Sequence, residues 1–260
     1  MTHPRLWPIG GRPIVLAHRG GGHEVPENSI YAFHTMHEQG FRYIETDVHA
    51  TRDGHVVVFH DPILDRVTDA HGKISHYSWA DLRQVRDRSG NPIMRLDDVL
   101  AEFPDLIFNI DAKHGAVVSP LAACIRRHNA EKRVSLASFS ERRLRRLRRL
   151  LPGVRSSLGT GAVTRLVLAA QRGTPSRILL GQLPASSGVE AVQVPQRAGR
   201  IQVVTPQFIS LSHQLGYAVH VWTINDSDEI RKLVGWGVDG IVTDEPSLAR
   251  RIIEQEFDWQ

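Results

Sequence analysis

The sequence predicts an α/β fold, a (β/α)8 TIM barrel with a small insertion after the second strand. Three observations predict it. Short β-branched runs alternate with amphipathic stretches, the pattern of repeated βα units around a parallel sheet. Eight such runs can be picked out, and clusters of polar residues close three of them, on the rim where α/β barrels build their sites. The 260 residues fit one barrel, which commonly runs to about 250 residues. The expectation is a single unit over residues 1–260, with an insertion at about 51–93 inside it.

The first strand is expected over 14–18 and the first helix over 29–39, where Asn28 or Ser29 can cap the start and Gly40 can end it in a left-handed turn. The second strand reads 43–48. Only a tight Arg52-Asp53-Gly54 turn then separates it from another strand-like run, 55–59. A turn that short makes a hairpin, whereas a parallel neighbour needs a crossover of about a dozen residues or more. The run is therefore placed outside the barrel, opening an insertion that reaches about Ile93. Within it, 65–91 is rich in Asp, His, Ser and Gly and reads as a loop-rich cap over the strand ends. Strands at 106–113, 134–138 and 154–159 follow, with helices at 120–128, 141–151 and near 164–172. The series closes with strands at 191–194, 218–223 and 240–243 and helices at 207–215, which Gly216 can terminate, and 226–236.

With 41% hydrophobic and 23% charged residues the composition is that of a soluble globular chain, and no stretch approaches the roughly 18 apolar residues of a membrane span. Residues 1–13 are polar and proline-interrupted, without the apolar region of a secretory signal, so a cytoplasmic protein is expected. Cys124, alone, cannot form a disulfide within the chain. A net charge of +4 and a pI near 9.6 suit anionic ligands: phosphate esters, acidic lipid surfaces or nucleic acid.

The clusters at the strand ends are His18-Arg19-Gly20, Glu45-Thr46-Asp47 and Asp111-Ala112-Lys113, and His60-Asp61 ends the hairpin strand. Glu45 and Asp47 are two apart, so strand alternation turns both to one face. Carboxylates held that close repel unless a cation or a proton intervenes, and oxygen-only ligation suits Mg²⁺ or Ca²⁺. Asp111 can supply a third oxygen. Taken alone, a Glu-x-Asp pair is more often a solvated surface feature, and a lone histidine is more often structural. Gly20-Gly21-Gly22 reads either as a flexible turn or as backbone amides approaching a phosphate.

Read in order, His18-Arg19-Gly20, Pro26-Glu27-Asn28-Ser29, Glu45-Thr46-Asp47, Asp53-Gly54, His60-Asp61 and Asp111-Ala112-Lys113 resemble the motifs of glycerophosphodiester phosphodiesterases. Residues 221–225 and 237–244 resemble that family's closing motifs, so the likeness runs from about 14 to 246. The resemblance implies a (β/α)8 barrel with a small insertion, one divalent cation on Glu45, Asp47 and Asp111, and His18 and His60 as acid and base. It implies phosphate contacts from Arg19 and Lys113, and places Trp222 near the substrate end of the pocket. One departure stands out: where the family pattern is Glu-x-Lys, this chain has Asp111-Ala112-Lys113. Asp is one methylene shorter. The related sphingomyelinase D toxins carry Asp-x-Lys, but they are secreted and disulfide-bonded, unlike a chain with one cysteine and no export signal.

Two histidines near their unperturbed pKa of about 6.5 can deprotonate a nucleophile and protonate a leaving alkoxide, while a cation, Arg19 and Lys113 offset phosphoryl charge. Residues 141–151 carry six arginines with leucines at 144, 147, 150 and 151. The leucine stripe is expected to pack on the sheet, with a solvated basic face; peripheral contact with an anionic membrane is the other reading. Three functions follow. The first is hydrolysis of a small glycerophosphodiester to an alcohol and glycerol 3-phosphate. The second is a lysophospholipase D or sphingomyelinase D-like activity at a membrane surface. The third is a non-catalytic barrel or nucleic-acid binder, although no aromatic-basic nucleic-acid motif is present and no obligate protein partner is indicated.

Overall fold

A computed structural model describes residues 5–172 and 188–257. Residues 1–4, 173–187 and 258–260 of the expected 1–260 unit lie outside the described residues. The strands are β1 (Ile14–His18), β2 (Tyr43–Ala50), β3 (Val56–Val58), β4 (Met94–Arg95), β5 (Ile107–Ala112), β6 (Val134–Ala137), β7 (Arg155–Ser157), β8 (Val189–Pro195), β9 (Arg197–Ala198), β10 (Ile201–Gln202), β11 (Ala218–Trp222) and β12 (Gly240–Thr243). Eight of them pair in parallel in the order β1-β12-β11-β8-β7-β6-β5-β2, and β1 pairs again with β2 to close the barrel. All eight coincide with the runs expected from sequence.

The hairpin argument also holds: β3 pairs antiparallel with β2 through Val48 and Val58, and β4 extends the hairpin antiparallel to β3. The segment between them is more than a loop-rich cap. It has its own small core of Val57, Phe59, Leu64, Ile74, Leu82, Val85 and Ile93, and a one-turn helix, α2 (Trp79–Leu82), opened by a Ser78–Asp81 capping box.

Helix α1 (Ile30–Glu38) starts at Ser29, whose hydroxyl accepts from the Ala32 amide at 3.0 Å. The other helices are α3 (Leu96–Glu102), α4 (Val118–Arg127), α5 (Glu141–Leu150), α6 (Thr160–Gln171), α7 (Pro206–Gln214), α8 (Ser227–Trp236) and α9 (Pro246–Gln255). Two of these, α3 and α9, were not anticipated, and α6 begins four residues before the expected 164. In α5, Leu144 and Leu147 are fully buried and Leu151 nearly so. Arg143 donates to Ser138, Arg146 to Ser119 and Arg148 to Glu141 and Ser156. The basic segment is thus an outer barrel helix with its apolar stripe packed inward.

Helix faces and sheet exterior form two large apolar clusters, one around β2, β5 and β6 and one around β8, β11 and β12. At the N-terminal strand ends the barrel is filled by Trp7, packed with Leu16, Ala191, Ala218 and Val242. The Trp7 indole donates to Ser135 Oγ at 3.1 Å and meets the His220 ring edge-on at 4.9 Å. The opposite end is left for polar residues. No helix of the described residues is long and apolar enough to cross a membrane.

Candidate active site

Strand register assembles the site. Ala17 of β1 pairs with Thr243 of β12, so the next residues, His18 and Asp244, emerge side by side. His18 Nδ1 lies 2.6 Å from Asp244 Oδ1, and its Nε2 lies 3.8 Å from Glu45 Oε2. Asn225 fixes Asp244 from both sides, donating to Oδ2 at 2.9 Å and accepting from the Asp244 amide at 2.9 Å. Burial alone would depress the His18 imidazole, but the hydrogen bond to Asp244 and the charges of Glu45 and Asp244 outweigh it and hold its pKa above the ordinary value.

Asp47 of β2 pairs with Asp111 of β5, and Glu45 shares the Asp47 face. All three carboxylates are buried. Lys113 Nζ lies 2.7 Å from Asp47 Oδ1 and 3.0 Å from Asp111 Oδ2, so its ammonium here bridges two carboxylates. Glu45 Oε2, Asp47 Oδ2 and Asp111 Oδ1 are buried without a hydrogen-bond partner. Burial, with the neighbouring Asp47 charge, pushes the Glu45 carboxyl up to about 8. Burial likewise raises Asp111, against the pull of Lys113. Unsatisfied buried carboxylate oxygens are costly, and three hard oxygens converging on one cavity fit a hard divalent cation. Among the described residues, the group of three whose ligand atoms all lie within 4.8 Å of one another is a different one, Asp97, Cys124 and His128. Glu45, Asp47 and Asp111 are set more widely, with Lys113 between the last two.

After His18 the chain turns sharply. Arg19 takes a left-handed φ of 52° and Gly20 one of 82°. A Cβ on Gly20 would sit 2.8 Å from Ala32 Cβ, so the turn after His18 lies directly on α1 and only glycine fits. The amides of Gly20, Gly21 and Gly22 donate to the carbonyls of Ala17 and His18. They make a turn, not a phosphate cradle. Arg19 Nη1 donates to Glu27 at 3.2 Å, and its Nε lies 3.5 Å from Asp47 Oδ2. Glu27 also accepts from both terminal nitrogens of Arg66, at 3.0 and 2.6 Å. Arg66 Nε donates to Asp61, whose other oxygen lies 2.6 Å from His60 Nδ1. Burial, Arg19 and Lys113 lower the His60 pKa against the opposing Asp47 and Asp61.

His18, Arg19, Glu45, Asp47, His60, Asp111, Lys113 and Trp222 therefore all line one cavity of about 490 Å³ at the C-terminal strand ends. Trp222 packs edge-on against Phe139 at 5.8 Å. Sequence reasoning did not assign Asp244, Asn225, Asp61, Glu27 or Arg66, the groups that hold the histidines and Arg19. Four of these lie inside motifs already singled out; Arg66 sits in the cap with no signal of its own.

The model of the glycerophosphoryl diester phosphodiesterase family matches residues 18–248, and the protein named "Probable glycerophosphodiester phosphodiesterase 2" of Mycobacterium tuberculosis is 40% identical over 96% of this chain and 94% of its own. The chain belongs to this family. A glycerophosphodiester phosphodiesterase of Caldanaerobacter subterraneus is 26% identical over 94% of this chain and 99% of its own. The barrel also superposes, with a TM-score of 0.77 and 23% identity over 94% of this chain and 97% of the other, on an Oleispira antarctica phosphodiesterase solved with the product sn-glycerol-3-phosphate. The protein is thus a phosphodiesterase of the family, an enzyme hydrolysing glycerophosphodiesters on a (β/α)8 barrel. The non-catalytic alternative is set aside. Members of the family are in general dependent on a divalent metal.

Proposed function

We propose that this enzyme cleaves glycerophosphodiesters to an alcohol and glycerol 3-phosphate with His18 and His60 as its proton-transfer pair, and that Glu45, Asp47 and Asp111 hold one Mg²⁺ or Ca²⁺ ion. The observation that carries this reading is that two histidines on one cavity each give Nδ1 to a carboxylate, Asp244 and Asp61. Such a bond keeps the proton on Nδ1 and leaves Nε2 to act, as acceptor in the neutral ring and as donor in the charged one. One Nε2 removes a proton from the attacking water, or from the neighbouring glycerol hydroxyl whose cyclic phosphate water then opens, and the other delivers a proton to the departing alkoxide. Arg19 lends positive charge to the phosphoryl oxygens, and Lys113 holds Asp47 and Asp111 in place while adding its own charge. When bound, the cation supplies Lewis-acid stabilisation of negative charge on those oxygens. Three buried carboxylate oxygens that accept no hydrogen bond support its placement.

We read the chain as one catalytic unit acting on a small-molecule substrate, and the buried lone Cys124 agrees with a cytoplasmic setting. The test is a product assay on glycerophosphocholine. Choline and glycerol 3-phosphate should appear in equal amounts, cease with EDTA and return with Mg²⁺ or Ca²⁺. Release of phosphocholine instead would overturn the assignment.

A further inference from the structure

Strands β2 and β5 place four side chains at the corners of a square. Glu45 pairs in register with Asn109, and Asp47 with Asp111. Residues two apart on a strand share a face, and all four line the active-site cavity. Neighbouring strands run about 4.8 Å apart, so the corners can reach one common point. All four are buried, Asn109 at 3% exposure, and each holds one oxygen that accepts no hydrogen bond: Glu45 Oε2, Asp47 Oδ2, Asp111 Oδ1 and Asn109 Oδ1. A buried oxygen without a donor is rare in a folded protein, and here the same deficit recurs at every corner of one ladder. Charge explains why the carboxylates want a cation. It does not explain Asn109, which is neutral.

The amide of Asn109 has a fixed direction. Its Nδ2 donates to Gln193 Oε1 at 3.3 Å, and Gln193 Nε2 in turn lies 3.3 Å from His220 Nδ1. The nitrogen is therefore committed to β8, and Oδ1 is the atom left open. The Lys113 ammonium bridges the outer corners, Asp47 and Asp111, and makes no ion pair with the inner corner Glu45. Asp111 is a short carboxylate, so an ion bound to it stays close to β5, the strand that also carries Asn109.

Resting on the divalent-cation part of the reading above, we propose that Asn109 Oδ1 is a fourth protein ligand of the ion and that it tilts the site toward Ca²⁺ over Mg²⁺. An amide oxygen adds a ligand without adding charge. Ca²⁺ takes about six to eight oxygens, side-chain amides among them, in adaptable geometry, whereas Mg²⁺ demands a near-ideal octahedron, keeps several waters and is usually held by one or two carboxylates. Four oxygens set on two paired strands suit the larger ion.

The EDTA-treated full chain is titrated calorimetrically with Ca²⁺ and with Mg²⁺, and Ca²⁺ should bind more tightly. Asn109→Leu, close in shape but without the oxygen, should weaken Ca²⁺ by at least about tenfold, the loss seen even for groups that only orient a metal ligand, and weaken Mg²⁺ by less. Tb³⁺, a hard ion that stands in for Ca²⁺, gives a second readout. Its luminescence lifetimes in H₂O and D₂O count inner-sphere waters, which should be more numerous in Asn109→Leu than in the parent; loss of the signal in Glu45→Gln assigns it to this site. Asn109→Asp keeps an oxygen, so its unfolding midpoint should still rise with Ca²⁺, and that variant carries the test where Asn109→Leu fails to fold. Equal Ca²⁺ affinity and equal water count in parent and Asn109→Leu, or loss of the Ca²⁺ response in Asn109→Asp, overturns the inference and leaves the phosphodiesterase reading intact. A parent that binds Mg²⁺ as tightly as Ca²⁺ overturns the preference. Hydrolysis of glycerophosphocholine by a parent that binds neither cation removes the metal assignment and this inference with it.

Discussion

His18 Nδ1 meets Asp244 Oδ1 at 2.6 Å, joining the end of the first barrel strand to the residue after the last. Asp244→Asn retains a polar partner but withdraws the charge that steadies an imidazolium. Turnover should fall with substrate KM little changed, whereas His18→Ala and His60→Ala should each lower kcat by at least about a hundredfold. Steady-state kinetics on variants of unchanged thermal midpoint check this; near-normal turnover in His60→Ala would remove that ring from proton transfer.

The buried oxygens of Glu45, Asp47 and Asp111 that accept no hydrogen bond predict that a divalent cation stabilises the folded state as well as activating it. With free cation at a hundred times its Kd the gain is about 2.7 kcal/mol, visible as a raised unfolding midpoint after EDTA-treated protein is given Mg²⁺ or Ca²⁺. Glu45→Gln and Asp111→Asn should lose most of that response. An equal response in both variants would place the ion elsewhere.

Arg66 touches no reacting atom in the proposed mechanism, yet it bridges Glu27, which holds Arg19, and Asp61, which holds His60. It is a positioning residue. Arg66→Gln should lower kcat by about tenfold, as loss of alignment does, and Arg66→Lys should recover part of it, because an ammonium can serve one carboxylate but not fork to both. A change confined to KM would argue for direct substrate contact instead.

Away from the site, Asp97 at the start of α3 accepts from Arg127 at 2.6 Å and lies 3.0 Å from His128 Nε2, both near the end of α4. Burial would raise its carboxyl, but the hydrogen bonds from Arg127 and His128 and the Arg127 charge bring it below the ordinary 3.8. A depressed carboxylate contributes stability above the unfolded pKa and loses it as pH falls through the folded one. Asp97→Asn should therefore destabilise by about 1–2 kcal/mol at neutral pH, with the gap to the parent narrowing in acid below 3.8. Urea unfolding at the two pH values measures it; a gap independent of pH would mean that the charge contributes nothing.

The barrel strands were legible because parallel strands covered on both faces read as apolar β-branched runs, and the hairpin because its turn is too short for a crossover. Helix α3 gives no periodic signal, because its apolar Leu96, Val99 and Leu100 span less than two turns. Helix α9 did carry a signal, Pro246 at its start and Ala249, Ile252 and Ile253 at helical spacing. Residues at strand ends could be singled out, but their pairing could not: His18 and Asp244 stand 226 positions apart and meet only through barrel closure. The Gly20-Gly21-Gly22 amides show the converse, a pattern open to two uses that only backbone geometry resolves. The role of Arg66 depends on the cap folding over the rim, which no local periodicity announces.

Trp7, seated at the far end of the barrel from this chemistry, bears on the order of synthesis. Its hydrogen-bond partner is Ser135 and its ring partner His220, so a nascent chain must lay down most of the barrel before the indole has a place to go. Domains emerge N-terminus first from the ribosome, and here an early-made aromatic has no seat until β11 arrives.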